Sequence, residues 1–397
     1  MRILYSCPLD PIKWAAAGSH VVSIVKALHS LGHRVTLLHV GSHVLQLNGI
    51  PQVAVGVDGD SLKCKLWRDI VLSREILRAC RSGFYDVLYH RLVSSSFLPM
   101  LLAKGLGIPA VVEVNSDARS ELPAWQAKWL QRRLVRLLEW INYVLADRII
   151  AVTKGVGDSI CQIYGISSSK IRIVSNGADL DTFRPMDRTH SCRLLRIDET
   201  KRYIAFAGTF QRWQGLETIA QAAIYVRQTH PDAVFLIIGD GIERPAFEAL
   251  INSTGVSLLF RLPGWCSPEE TALYLGASDI CIAPYTRQAA LGVNLDDTRG
   301  APMSRSPLKI CTYLASGRPI IASHFAEAGM LVESIGAGIA VPPERPDLLA
   351  QAISYLLEHP NEAKAMGEAG RKAAEANYGW QSVAKRIIEI CTEIRDG

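Results

Sequence analysis

The run Ser306-Pro307-Leu308-Lys309-Ile310-Cys311-Thr312-Tyr313-Leu314-Ala315-Ser316-Gly317-Arg318-Pro319-Ile320-Ile321-Ala322-Ser323 gathers residue types that handle phosphate. Ser304 or Ser306 caps a short helix, Pro307 suits its first turn, Gly317 stops it, and Pro319 leads into a buried strand. The first N–H groups of a helix lack partners and carry partial positive charge, so such an end binds anions. Fed by a polar loop, this end suits a nucleotide diphosphate. A second chemistry-bearing run is Leu122–Leu138. It holds Lys128, Arg132, Arg133 and Arg136 and no acid, interleaved with Trp125, Trp129, Leu130, Leu134, Leu137 and Leu138. A basic, Trp-bearing amphipathic helix suits the surface of an anionic membrane; the alternative is an ordinary domain helix with a solvated basic face. No second basic patch or recognisable module accompanies it, so nucleic-acid binding is not expected.

The elements that must position these groups follow from pattern. At 397 residues, two domains are the prior. A hydrophobic content of 49% with 20% charged residues is globular, and the net charge of +5 is mild. Nine scattered cysteines with no C-x-x-C pair predict reduced thiols, a cytoplasmic protein and no structural zinc site. No apolar run approaches the ~20 residues that span a bilayer, and Met1–Tyr5 reads as a strand, not a signal peptide. Strands are predicted at Arg2–Ser6, Arg34–Val40, Asp86–Tyr89, Ala110–Val114 and Arg148–Val152, with helices at Ser19–Leu31 and about 61–82, 93–105 and 123–146. Residues 186–201 are polar without a clear period and read as a linker. The pattern restarts with strands at Tyr203–Ala207, Ala233–Ile238, Asp279–Ala283 and Gly338–Val341, and helices at Gly215–Gln228 and Pro268–Gly276. The alternation predicts an α/β fold of two Rossmann-like halves, 1–185 and 202–379, each with a parallel sheet, and a last helix within 380–397.

The Ser306–Ser323 segment resembles the donor-site helix of family 4 retaining glycosyltransferases of the GT-B fold. Further segments carry the same likeness: Ala17-Gly18-Ser19-His20 with Leu31-Gly32-His33-Arg34-Val35; Ile171–Asp179 with its Asn176-Gly177 turn, ending Phe183-Arg184-Pro185; Phe206-Ala207-Gly208-Thr209-Phe210-Gln211-Arg212-Trp213-Gln214-Gly215; Ile237-Ile238-Gly239-Asp240-Gly241; and Leu262-Pro263-Gly264-Trp265. The resemblance implies two Rossmann-like domains facing across a cleft, the first for the acceptor and the second for the donor, with helix 380–397 packing back on the first. It implies a retaining, metal-independent transfer from a UDP- or GDP-linked sugar, with no further cofactor, to a glycan or lipid-linked acceptor. Polysaccharide or glycolipid synthesis in the cytoplasm, or on the inner face of the plasma membrane through helix 123–146, would be the setting.

Residue by residue, the resemblance assigns donor contacts to Gly18, Ser19, Thr209, Arg212, Gly239, Gly241, Pro307, Leu308, Lys309 and Thr312. Asn115, Arg212 and Lys309 are the residues expected to act on the reacting end. Three positions depart from the family: Thr209 and Gln214 stand where many members have Arg and Lys on the diphosphate, and Thr312 stands where a glutamate usually holds the ribose. Arg212, the only cation in its loop, is either a displaced phosphate clamp or a solvated residue. Gly18 marks either a phosphate loop or a plain turn, and Trp265 either lies beside the base or belongs to the core. Glu113, inside an apolar strand, must be paired if buried; His90 has either a structural or a cleft role. The departures at Thr209, Gln214 and Thr312 also fit a rival reading, a degenerate GT-B protein that binds or scaffolds a partner transferase.

Overall fold

Short apolar runs bounded by glycine and polar turns make the strands, and longer runs with apolar spacing of three and four make the helices that cover them. The computed structural model describes residues 1–13, 15–56, 62–93, 96–116, 129–287, 308–325 and 327–396. Two compact units emerge. One runs from Met1 to Asn176 and takes in the helix Trp380–Asp396; the other runs from Gly177 to Gly379.

Among the described residues the first unit has strands β1 (Arg2–Cys7), β2 (Arg34–Val40), β3 (Gln52–Val55), β4 (Val87–Arg91), β5 (Ala110–Val114), β6 (Arg148–Ala151) and β7 (Ile171–Ile173), all parallel in the order β3-β2-β1-β4-β5-β6-β7. Both faces are covered. Ile3, Tyr5 and Cys7 of β1 pack with helices Ala15–Ser30 and Trp380–Asp396 on one side, and Leu4 packs with Leu72, Met100 and Tyr143 on the other. Each fully buried side chain of this kind contributes roughly 1.5–3 kcal/mol relative to exposure.

The second unit repeats the plan with β8 (Arg202–Ala207), β9 (Ala233–Ile238), β10 (Phe260–Gly264), β11 (Ile280–Ala283), β12 (Ile320–Ser323) and β13 (Gly338–Val341), parallel in the order β10-β9-β8-β11-β12-β13. The helix predicted after residue 306 is present as Leu308–Ala315, and Gly317 at φ +67° ends it. In each sheet the order reverses once, between β1 and β4 and between β8 and β11. Open α/β sheets bind ligands beyond the carboxyl ends of the strands at such a reversal.

Several boundaries differ from the sequence reading. Residues 186–201 are not an irregular linker. Arg188–Leu195 is a helix, started by Asp187, whose carboxylate accepts the His190 amide at 2.6 Å. It packs on helix Pro268–Ala277, and the second unit begins at Gly177 rather than after 185. Eight residues with only Cys192, Leu194 and Leu195 apolar carry too little period to be read. Helix 93–105 starts late, at Leu98, because the Asp69 carboxylate caps the Phe97 and Leu98 amides at 3.0 and 2.9 Å. The helix expected over 123–146 is described as Trp129–Leu145; Leu122, Trp125 and Lys128 lie outside the described residues, as do Ser304, Ser306 and Pro307. Strand β3 and helix Lys154–Tyr164 had no forecast. All nine cysteines are free thiols. Among the described residues no helix is long and apolar enough to cross a membrane.

Candidate functional site

In the second unit the reversal point is occupied by Lys309. Tyr313, one turn later on helix Leu308–Ala315, anchors that helix to the sheet: its hydroxyl accepts the Ala207 amide at 2.7 Å, at the end of β8. This places the Lys309 Nζ 3.8 Å from the centre of the Phe206 ring and 5.3 Å from that of Tyr285, the residues at the ends of β8 and just beyond β11. Nζ donates to the Gln214 Oε1 at 2.5 Å. Among the described residues no carboxylate pairs with this ammonium, and burial pushes its pKa well below the ordinary lysine value. Gly208 makes the room: a Cβ there would lie 2.8 Å from Nζ. A partly buried ammonium held by an amide oxygen and two aromatic faces is a group that a nearby anion would stabilise.

Gln214, standing where the family has lysine, is therefore the partner of the ammonium that Lys309 brings. The Thr312 hydroxyl donates to its own helix, at the Leu308 carbonyl (3.3 Å). Leu308 is the first helical residue and partly buried, while Thr209 is exposed.

Other expected contacts are placed elsewhere. The space around Gly239 and Gly241 is filled by the protein: a Cβ on Gly239 would lie 2.0 Å from the Gly208 carbonyl oxygen, and one on Gly241 would lie 2.6 Å from that of Phe210. These glycines let two loops of the unit touch each other. Arg212 is 54% exposed and pairs with Glu243 at 3.5 Å. It lines a cleft of about 630 Å³ with Glu217, Glu243, Glu344, Phe247 and Thr286, and Lys309 is not part of that lining. A half-exposed arginine paired with Glu243, in a cleft that Glu217 and Glu344 also line, makes a poor phosphate clamp. Trp265 is 72% exposed, which removes the core reading.

In the first unit the corresponding reversal holds a buried charge cluster. Glu113, 1% exposed, accepts from His20 Nε2 (2.7 Å), Arg91 Nη1 (2.8 Å), the Tyr89 hydroxyl (2.6 Å), the Tyr5 hydroxyl (3.5 Å) and the Asn115 amide. Burial alone would favour the neutral acid, but His20, Arg91 and Tyr89 hold the carboxyl well below the usual range. Burial also lowers the His20 pKa, so a neutral imidazole donates through Nε2, with Asn176 beside it and Trp380 edge-on at 5.3 Å. Asn115 spends its N–H on Glu113, which commits that amide's orientation. The first helix, expected from Ser19, starts at Ala15 and takes in both Gly18 and Ser19. A Cβ on Gly18 would overlap the Pro11 carbonyl oxygen at 1.7 Å, so this glycine closes the Pro11 loop onto the helix, and Ser19 is exposed. His90 is fully buried against the Ser6 hydroxyl (3.1 Å), and burial pushes its pKa down to about 3, which makes its role structural.

Sequence reasoning flagged Glu113 but missed Tyr5, Tyr89, Arg91 and His20 as its partners. The strand register was the available signal. Tyr5 pairs with Tyr89 and Arg91 with Glu113, and alternation puts all four on one face.

Comparison with known proteins places these sites in context. Residues 17–182 match the model of Glycosyltransferase Family 4, and residues 201–359 match that of Glycosyl transferases group 1. A D-inositol 3-phosphate glycosyltransferase of Kribbella flavida is 24% identical over 98% of this chain and 93% of its own length. An alpha-D-kanosaminyltransferase of Streptomyces kanamyceticus is also 24% identical, over 76% of this chain and 75% of its own. Among solved structures, a glycosyltransferase from Rickettsia africae superposes with a TM-score of 0.75 at 18% identity, covering 99% and 98% of the two chains. Anabaena Alr3699/HepE in complex with UDP superposes at 0.76 with 15% identity, covering 99% and 100%.

Proposed function

Because the chain belongs to the family 4 glycosyltransferases and has the GT-B fold, we propose that it transfers a sugar, with retention of configuration and without a metal, from a nucleotide diphosphate sugar to a glycan or lipid-linked acceptor. The observation that carries this reading is the Lys309 ammonium at the β8/β11 reversal, partly buried and without a described carboxylate partner. A diphosphate beside it supplies a stabilising anion, and the first amides of helix Leu308–Ala315 add partial positive charge. The same groups stabilise the charge that grows on the diphosphate as the sugar bond breaks. Departure of the diphosphate and approach of the acceptor on one face of the sugar gives retention. Exposed Trp265 offers a flat surface for the base. UDP- and GDP-linked donors are the first to test. The Anabaena relative was solved with UDP-glucose.

Lys309 replaces, from the helix, the cation that the family places at position 214, so the loss of lysine there does not mean loss of function. Arg212 has no such role in this reading. Arg212→Ala is expected to change donor affinity by less than about threefold, under ~0.7 kcal/mol; a loss of tenfold or more in a calorimetric titration would return Arg212 to the site. The Thr312 hydroxyl, turned to its own helix, favours the rival reading of a non-catalytic donor-binding protein. Release of nucleoside diphosphate from a bound donor, with the anomeric centre of the product read by NMR, separates the two: turnover excludes the rival.

The acceptor side includes a membrane. Helix Trp129–Leu145 exposes Trp129, Leu130, Leu137 and Trp140 beside Arg132, Arg133 and Arg136, which supports docking on an anionic bilayer where a lipid-linked acceptor would be met.

A further inference from the structure

Contrary to the expectation from sequence that no second basic patch accompanies helix Trp129–Leu145, helix Leu62–Ser82 carries a surface of the same kind. Asp69, Leu72 and Ile76 are its buried residues. Lys63, Leu66, Trp67, Ile70 and Arg74 follow one another at helical spacing and are all exposed, with Trp67 at 57% and Ile70 at 47%. That spacing puts them in one stripe, apolar in the middle and cationic at both ends. Asp69 is the only acid from Leu62 to Arg74. It is buried, and its carboxylate is occupied by the Ser96 hydroxyl at 2.5 Å and by the Phe97 and Leu98 amides. No negative charge reaches the stripe from its own stretch of helix.

The same polar cluster reaches helix Trp129–Leu145. Asn142 donates from Nδ2 to the Ser96 carbonyl at 2.8 Å and to the Leu138 carbonyl at 2.8 Å. Asp69, the turn at Ser96 and Asn142 thus fasten the two tryptophan-bearing helices to one point. Helix Leu98–Gly105 lies between them, packed against both, and exposes Leu101 and Lys104. From Trp129 to Leu138 there is no acid, and Glu139 is buried and accepts the Tyr164 hydroxyl.

We infer that helices Leu62–Ser82 and Trp129–Leu145 form one composite docking surface for an anionic lipid bilayer, with Trp67 and Ile70 entering the interface alongside Trp129 and Leu137. This rests on the membrane reading given above and extends it to a second helix. Charge complementarity selects the occupant. A second copy of the chain on this face would set Lys63, Arg74, Arg132 and Arg136 against their own kind. A nucleic acid would answer the cations but leave the aliphatic groups without a partner. An anionic bilayer answers both, with headgroups for the cations and acyl chains for the tryptophans and leucines.

The test is flotation of the full chain with vesicles of phosphatidylcholine containing one third phosphatidylglycerol, and with pure phosphatidylcholine. The wild type is expected to float with the anionic vesicles only. The double variant Trp67→Ser/Ile70→Ser, with an unchanged melting curve because both side chains are exposed, is expected to bind at least tenfold less. Lys63→Glu/Arg74→Glu is expected to do the same by an independent route. If both variants float as the wild type does while Trp129→Ser/Leu137→Ser does not, the surface is a single helix and the inference fails, with the membrane reading intact. If the wild type floats with neither vesicle, both fail. A wild-type dimer in solution that Trp67→Ser/Ile70→Ser dissociates would assign the face to a second copy and overturn the inference.

Discussion

Lys309→Met is expected to lower affinity for the nucleotide diphosphate sugar at least a hundredfold while leaving stability within about 1 kcal/mol of the wild type. The two effects part company because of where the ammonium sits. In the free protein the partly buried amino group lies against Phe206 and Tyr285, with Gln214 as its hydrogen-bond partner, and burial disfavours its charged form, so folding gains little from it. A methionine keeps the volume and the aromatic contact and removes the desolvation cost; the loss is one hydrogen bond to Gln214, worth roughly 1 kcal/mol. The donor diphosphate, by contrast, loses a charge-assisted contact in a site of low dielectric, and truncating one side of such a pair costs roughly 2–5 kcal/mol. Thermal unfolding with and without UDP- and GDP-sugars reads both quantities in one experiment. Equal donor-induced stabilisation of the wild type and the variant would remove Lys309 from the donor site.

Glu113→Ala acts the other way, on the fold first. Its carboxylate is the common acceptor for Arg91, His20, Tyr89, Tyr5 and Asn115 in a buried layer. Removing it leaves the Arg91 guanidinium, 7% exposed, without its counter-charge, and breaking a buried pair in this way costs about 3–5 kcal/mol. That is a large share of a normal domain's stability, so the first unit of Glu113→Ala is expected to melt well below the second in a calorimetric scan. The wild type should also show the acid limb of this ionisation. The folded carboxyl lies below its unfolded value of ~4.3, so its stabilisation is complete above that value and is lost as pH falls beneath it toward the folded pKa. Tyr89→Phe, which removes a single donor, is expected to cost about 1.5–3 kcal/mol. A Glu113→Ala protein that unfolds like the wild type would show that the cluster does not hold the unit together.

The two sheets were legible because buried parallel strands are nearly continuous apolar runs. Arg34–Val40 and Ala110–Val114 stand as expected, and Gly317 ends its helix in the left-handed region. Arg188–Leu195 was not legible, since its helix is started by one capping aspartate and held by tertiary packing rather than by its own period. The candidate site was legible in part. Lys309 could be named from the resemblance of its helix to the family's donor-site helix. That its ammonium meets Gln214 could not, because the contact joins side chains 95 residues apart. Gly18, Gly239 and Gly241 were read as making room for a ligand, yet their space is filled by Pro11, Gly208 and Phe210. A glycine marks a close approach and is silent about what approaches. Arg212 was chosen as the only cation in its loop; Glu243, more than thirty positions on, accounts for it.

The central claim is that a nucleotide diphosphate completes the Lys309 site, and proton uptake tests it most directly. Calorimetric titration of UDP- and GDP-sugars in buffers of different ionisation enthalpy measures protons taken up on binding. The bound diphosphate returns the ammonium toward its ordinary pKa of ~10.4, so at any pH above the lowered free value, binding must draw a proton from solution, and affinity must fall as pH rises through that value. The account predicts uptake that grows toward one proton as pH is raised through that lowered value and is absent in Lys309→Met. Donor binding with no proton uptake at any pH up to the ordinary lysine range, or no binding of either nucleotide sugar at millimolar concentration, would contradict it.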